Sequence, residues 1–319
     1  MKRESATLWP NTISDREPKP AVHHISPPDF LLQRSREAGR AEVWTLNLGK
    51  GRAADYLFCP ERDYPSLANT SEIQLFDAVS ARLTAELSWR QPLPQVIQIG
   101  TTLDPFHDSA EVQKEVGEII KRLAERKIIS WLVTRGEISG PILDQWAEIR
   151  EWIRISLAVS SHDRAIQKVL EPAAATFEHR LETFSGLTQR GFRAEILLEP
   201  LLPHVTDAHE HLEELLEQLA EAGVRRLTAG YLVLHPERNE AIAKALEPAG
   251  WSELVLSAYA DGVRIRKGPL APAVLLSKPR RQRGYALLMA LAANVGITVR
   301  LSARSNPDFG AGRSKAIRA

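Results

Sequence analysis

From Val43 to about residue 235 the chain alternates short apolar runs with longer amphipathic ones. The apolar runs are Val43–Leu48, Gln95–Ile99, Ile128–Val133, Ile153–Val159, Phe192–Leu198 and Arg225–Leu234. They are rich in β-branched residues and nearly continuous in hydrophobicity, as strands covered on both faces are. Between them, Thr70–Leu87, Glu111–Glu125, Pro141–Ile149, Ala175–Gln189 and Ala208–Ala222 have helical periodicity. In the last of these, Leu212, Leu215, Leu216 and Leu219 share one face, Asp207 with Glu210 has the spacing of a capping box, and Gly223 is placed to end the helix. Asp108 and Glu111 repeat the box at an earlier helix start.

Six strands alternating with helices predict βαβ units and a parallel sheet. Right-handed crossovers let such a sheet curl into a partial or complete (β/α) barrel of about six parallel strands. Functional groups then belong at the carboxyl ends of the strands. Before the beat, residues 1–40 carry Pro10, Pro18, Pro20, Pro27 and Pro28 and read as an irregular arm. The barrel is expected over 41–236. Residues 237–319, where the beat weakens, read as an extension packed on it, with helices at Asn239–Leu246 and Gln282–Ala293 and a last strand at Ile297–Leu301.

Length and composition fit this picture: 319 residues, 44% hydrophobic and 25% charged, can bury a sizeable core. One cysteine excludes an intramolecular disulfide. No apolar run reaches the ~18 residues of a spanning helix. Met1–Pro20 lacks the apolar core of a signal peptide, so a cytoplasmic protein is the expectation. The net charge of +1 conceals an asymmetry. From Ala260 onward there are twelve Lys or Arg against two Asp or Glu, which leaves −9 for the rest. Such a basic stretch suits a polyanion or a merely solvated surface. Arg280, Arg281 and Arg283, assisted by Lys278 and Lys267 and beside Pro279 in a stretch expected to be extended, are the candidate nucleic-acid contacts; only Tyr285 supplies an aromatic nearby.

The chemistry-bearing loops follow the strands. They contain Asn47 to Pro60, then Gly100-Thr101-Thr102-Leu103-Asp104-Pro105, Thr134-Arg135, Ser160-Ser161-His162-Asp163, Leu170-Glu171-Pro172, Glu199-Pro200 and Gly230-Tyr231. This ordered set resembles the radical S-adenosylmethionine (radical SAM) superfamily, and in particular its spore photoproduct lyase-like branch. That branch has an Asn-bearing strand, a Gly followed by Cys-x3-Cys-x2-Cys, a Gly-Thr-x-x-Asp-Pro loop, a Thr-Lys/Arg strand end and a Leu-Glu-Pro segment. The resemblance covers about residues 43–235. It implies a SAM or nucleotide site at Thr101, Asp104, Arg135, Ser160 and Glu171. It also implies a [4Fe–4S] cluster held by three thiolates, with SAM on the fourth iron.

The chain departs from the family at the cluster. Arg52, Tyr56 and Cys59 stand at the three cysteine positions, and Cys59 is the only cysteine. Iron–sulfur clusters need thiolate or occasionally His ligands, and a guanidinium neither deprotonates nor accepts. The [4Fe–4S] cluster is therefore not expected from this chain alone. Arg52 instead reads as a partner for Asp55, Glu61 or Asp104, and Cys59 as a ligand remnant or a small buried hydrophobe. Asp104-Pro105 also suits a simple turn, and Glu171 and Glu199 suit structural caps.

Histidines offer a second chemistry: Cys59, His107 and His162 on neighbouring loops suit a metal, whereas His209 and His211 on one helix diverge by about 200°. Gly49-Lys50-Gly51-Arg52 matches no phosphate-loop fingerprint. Three readings follow. One is a degenerate radical SAM-like barrel without radical chemistry that retains SAM or nucleotide binding. Another is an active lyase-type enzyme with an atypical cluster site, its ligands completed by a partner. The third is a nucleic-acid-binding module.

Overall fold

A computed structural model describes residues 22–34, 43–51, 57–58, 73–106, 109–265, 272–303 and 305–309. Strands β1 (Val22–Ile25), β2 (Leu32–Arg34), β3 (Val43–Leu46), β4 (Gly49–Gly51) and β5 (Ile73–Phe76) precede helix α1 (Val79–Trp89). The alternating core follows: β6 (Val96–Ile99), α2 (Ala110–Glu125), β7 (Ile129–Thr134), α3 (Gly140–Gln145), β8 (Ile153–Val159), α4 (Arg164–Leu170), α5 (Phe177–Gln189), β9 (Arg193–Leu201), α6 (His209–Glu221) and β10 (Arg226–Tyr231). Beyond it lie β11 (Val233–Leu234), α7 (Asn239–Leu246), α8 (Ser252–Ser257), β12 (Val263–Ile265), β13 (Ala273–Leu275), α9 (Lys278–Asn294) and β14 (Thr298–Leu301).

Among the described residues the main sheet has eight strands in the order β14-β10-β9-β8-β7-β6-β3-β2. All neighbours are parallel except β2, which runs antiparallel to β3. Each core strand lies beside its predecessor, as in a barrel, but β14 and β2 stand at opposite ends, so the barrel is partial. Burial explains the runs. In β8 every residue but Arg154 is buried, because helices cover one face and the barrel interior the other. Helix α2 turns Val112, Val116, Ile119, Ile120 and Leu123 inward, and α6 turns in the four leucines expected of it.

Several local expectations need correction. The 70–87 stretch is not one helix. Ile73-Gln-Leu-Phe76 is a strand, since it finds two partners, β1 and β4, in a separate three-stranded sheet. The arm before residue 40 contributes β1 and β2, separated at Pro27 and Pro28, which cannot extend a ladder. The Gly49-Lys-Gly51 segment is itself β4. Helix α6 has Ala208 at its N-cap, which offers no side-chain cap. Asp207 instead accepts the His204 amide (2.6 Å) and the Tyr231 hydroxyl (2.8 Å). Helix α2 is capped by Ser109, whose hydroxyl accepts the Val112 amide; Glu111 faces His24 at 2.6 Å, and Asp108 lies outside the described residues. The Arg225–Leu234 run divides, because β11 leaves the sheet to pair with β13. Thr298–Leu301 joins the main sheet beside β10. Among the described residues no helix is long and apolar enough to cross a membrane.

Candidate functional site

The carboxyl ends of β6, β7 and β8 converge on a buried polar network. After β6, Gly100 turns the chain with φ 76°, and a Cβ there would lie 2.6 Å from the Leu103 carbonyl oxygen and the Pro105 ring. Glycine is required on both counts. The turn aims Asp104 inward, 7% exposed. Asp104 accepts the Phe106 amide at 2.9 Å, which is turn chemistry, but it also accepts the Thr134 hydroxyl and, at 2.8 Å, the Arg135 amide. It therefore ties the β6 loop to the end of β7.

Arg135 continues the network. Its Nη1 donates to Glu171 Oε2 at 2.9 Å and its Nη2 to the Glu199 carbonyl in β9. Glu171, at the end of α4, has a fully buried carboxylate. Arg180 of α5 reaches both of its oxygens, at 3.0 and 3.2 Å, and the Ser160 amide and hydroxyl complete its shell. Burial pushes the Glu171 carboxyl up. The Arg180 and Arg135 charges and the hydrogen bonds from Arg180 and Ser160 outweigh it and hold the group below the ordinary carboxylate value. Two guanidiniums thus share one carboxylate in the interior. The Arg180 Nε, also buried, finds no acceptor among the described residues.

Four of the five expected ligand residues, Asp104, Arg135, Ser160 and Glu171, are therefore brought together, chiefly through contacts with one another. Thr101 donates instead to the side-chain oxygen of Asn47, which follows β3 directly. Arg180 carried no motif. Its signal was a charge at the buried spacing Phe177, Arg180, Phe184, Leu187 of an amphipathic helix. Leu57 and Phe58 lie against the network. The Leu57 amide donates to the Leu170 carbonyl at 2.8 Å, and the Arg135 guanidinium carbon lies 4.8 Å from the Phe58 ring centroid. Arg52, Tyr56 and Cys59, the residues at the cluster spacing, lie outside the described residues, as do His107 and Lys267.

Elsewhere the expectations separate. His162 points to α6, where its ring stacks on His211 (centroids 4.5 Å apart) and its Nε2 meets Glu214 at 3.0 Å. His209 diverges from His211 toward Glu213. Among the described residues no three His, Cys, Asp or Glu side chains are placed to hold a metal. In the basic stretch, Arg281 is fully buried, which removes it as a phosphate contact. It donates to the Leu276 and Ser305 carbonyls, Asn306 and Asp308. Pro279 is not in an extended segment: it occupies the first turn of α9, where its missing N–H is harmless. Arg280 lies 3.3 Å from Asp261, and Arg283 is exposed.

No protein-family model matches the sequence. Uncharacterized proteins of Mycobacterium tuberculosis and Mycobacterium bovis are 28% identical over 197 residues, 58% of this chain and 57% of theirs. The chain thus matches little more than half the length of these curated relatives. Spore photoproduct lyase complexed with dinucleoside spore photoproduct superposes with a TM-score of 0.69 at 14% identity, covering 88% of this chain and 82% of that one. A mutant of that enzyme with bound AdoMet and the dinucleoside gives the same values. A radical S-adenosylmethionine methyltransferase from Kitasatospora setae, with tryptophan and a SAM analogue bound, has a TM-score of 0.53 at 13% identity over 82% of this chain and 55% of its own. The partial barrel and the loops at its strand ends share the fold of spore photoproduct lyase and, less closely, of that radical S-adenosylmethionine methyltransferase.

Proposed function

We propose that this chain is a radical SAM-fold protein that performs no radical chemistry and binds a nucleotide-like small molecule at the carboxyl ends of β6 to β8. The observation that carries the first half is the donor set. Arg52, Tyr56 and Cys59 occupy the cluster spacing, and no second cysteine exists in the chain. One thiolate does not hold a [4Fe–4S] cluster. The donor set does not fit the group, and reductive cleavage of SAM has no electron source in this chain.

The second half is supported by the buried network. Two guanidiniums on one carboxylate are costly to desolvate and are a weak source of stability. They are understandable where a ligand is recognised. The structural neighbours with AdoMet or a dinucleoside bound make SAM, S-adenosylhomocysteine and adenine nucleotides the ligands to try first. A nucleic-acid module built on Arg280, Arg281 and Arg283 is the weaker reading, because Arg281 is internal and Arg280 faces Asp261.

Anaerobic iron–sulfide reconstitution followed by iron analysis and ligand titration tests both halves. The expected protein is colourless, without stoichiometric iron, and its melting temperature rises with at least one nucleotide. About four irons per chain with cluster absorption would reject the first half. No thermal shift with SAM, S-adenosylhomocysteine or adenine nucleotides at millimolar concentration would reject the second.

A further inference from the structure

We infer that Arg154, Arg193, Arg226 and Arg300, which cross four neighbouring strands on one face of the main sheet, form a second anion site that takes a linear inorganic phosphate chain. Hydrogen bonds and register define the face. The Trp131 indole donates to the Ser156 hydroxyl at 2.8 Å, and that hydroxyl donates to Glu195 at 2.9 Å, so these side chains of β7, β8 and β9 lie together. Arg154 and Arg193 stand two residues earlier in β8 and β9 and project from the same face. Leu227 pairs with Ile196, which puts Arg226 of β10 on the Glu195 face, and Arg300 of β14 pairs with Thr228, two residues beyond Arg226. Counted the other way by twos, the face reaches Arg135 and Ser160 just past the strand ends. The row and the carboxyl-end network are therefore separate, at opposite ends of one surface.

The placement of these cations is costly unless an anion joins them. Arg154 is the one exposed residue of β8, and its direct partner across the ladder is Arg193. Like charges directly opposite each other destabilise a sheet. All four arginines are exposed, and among the described residues none has a carboxylate within ion-pair distance. Glu195, the acid beside them, accepts the Ser156 hydroxyl. With ~4.8 Å between strands and a rise of ~3.3 Å per residue, Arg226 stands ~8 Å from Arg193 and Arg300 ~8 Å from Arg226, a diagonal of ~20 Å in all. Such a line suits a linear anion, and guanidinium forks take phosphate oxygens in pairs. A nucleic-acid strand would need aromatic platforms as well. Trp131, the aromatic side chain of this face, is half-buried with its N–H committed, and the exposed large apolar side chains lie on other elements. A phosphate chain without bases fits the row better.

The test titrates the full chain by calorimetry with linear inorganic polyphosphate, oligo-dT and poly-glutamate at matched charge. The salt is about 0.1 M, where charges beyond ~10 Å are screened. Wild type should bind the polyphosphate most tightly. Arg193→Gln combined with Arg226→Gln should weaken this at least about 10-fold, because two charge-assisted contacts go. Lys114→Gln combined with Lys168→Gln removes the same charge from exposed positions of α2 and α4 and should leave the affinity within about 2-fold. Equal affinities of the two double variants, or no binding by wild type, reject the row. Tighter binding of oligo-dT or poly-glutamate than of polyphosphate rejects the phosphate chain as its ligand. Should the arginine variant not fold, phenylglyoxal modification of the wild type decides. Polyphosphate must shield the four arginines and leave Arg122 on α2 reactive, and equal labelling with and without it overturns the site.

Discussion

Replacing Glu171 with Gln tests the buried network directly. The carboxylate accepts from Arg135, twice from Arg180 and twice from Ser160. Glutamine keeps the shape and one acceptor oxygen, which can still serve Ser160. At the other position an NH2 group would face Arg135 Nη1 and Arg180 Nη1, donor against donor, at present distances of 2.9 and 3.0 Å. Two charge-assisted bonds are lost, at about 1.5–3 kcal/mol each. Two buried guanidiniums are left with no carboxylate between them, and breaking a buried pair costs about 3–5 kcal/mol. A loss of about 4 kcal/mol is expected, a large share of the 5–15 kcal/mol typical of a domain. Urea unfolding at pH 7 reads it as a lower midpoint at unchanged slope. Because the folded carboxyl titrates below its ordinary value of 4.5, its contribution is present above that pH and is lost as pH falls through the folded value. The variant and wild-type stability curves should therefore converge only in acid. Replacing Arg135, Glu171 and Arg180 together with Met, Leu and Met should recover most of the loss. A Glu171→Gln variant within 1 kcal/mol of wild type at pH 7 would refute the reasoning.

Acid stability offers a second test: burial, then the neighbouring His162, hold His211 down at about 4, so the unfolded chain takes up this proton first. Stability should drop as pH falls from about 6.5 to 4, by roughly 2 kcal/mol after allowance for partial exposure, and His211→Gln should flatten that limb in pH-dependent melts. Arg281→Met should lower stability by about 3 kcal/mol, since it leaves Asp308 and the Leu276 and Ser305 carbonyls without their donor. Arg280→Ala should change it by no more than ~0.5 kcal/mol, and equal effects in thermal unfolding would contradict the burial difference. Leu157→Ala, at the centre of β8 and fully buried, should cost about 2–5 kcal/mol by chemical denaturation.

The alternating core was legible because its signals are local. Ile153–Val159 is apolar except for Arg154 and Ser156, and the leucines of α6 recur at helical spacing, so both appear where expected. The loop positions were legible as an ordered set, and Asp104, Arg135, Ser160 and Glu171 do meet. What escaped depends on distant partners. β5 is four residues long and is a strand only because β1 and β4 flank it. Asp207 has the sequence of a cap, yet Tyr231, 24 residues away, takes one of its oxygens. The internal pairing of Arg135 with Glu171 spans 36 residues and has no periodicity to reveal it. Arg281 is the instructive case. Arg280, Arg281 and Arg283 look alike in a row of cations, but 281, 285, 288 and 292 fall on one helical face, and that face is buried.

The position of β14 bears on how the chain is made. β10 pairs with β9 on one side and with β14 on the other, and β14 is encoded about 70 residues later. As the polypeptide leaves the ribosome, the outer row of amides and carbonyls on Arg226–Tyr231 emerges long before its complement exists. An unsatisfied edge in a nascent sheet is a template for a neighbouring chain. Synthesis must therefore run past Leu301 before that edge is protected. A transcript that stops after Leu234 would yield a sheet that is largely assembled but adhesive, and a slow translation step between 235 and 297 would lengthen the interval in which the polysome can cross-associate.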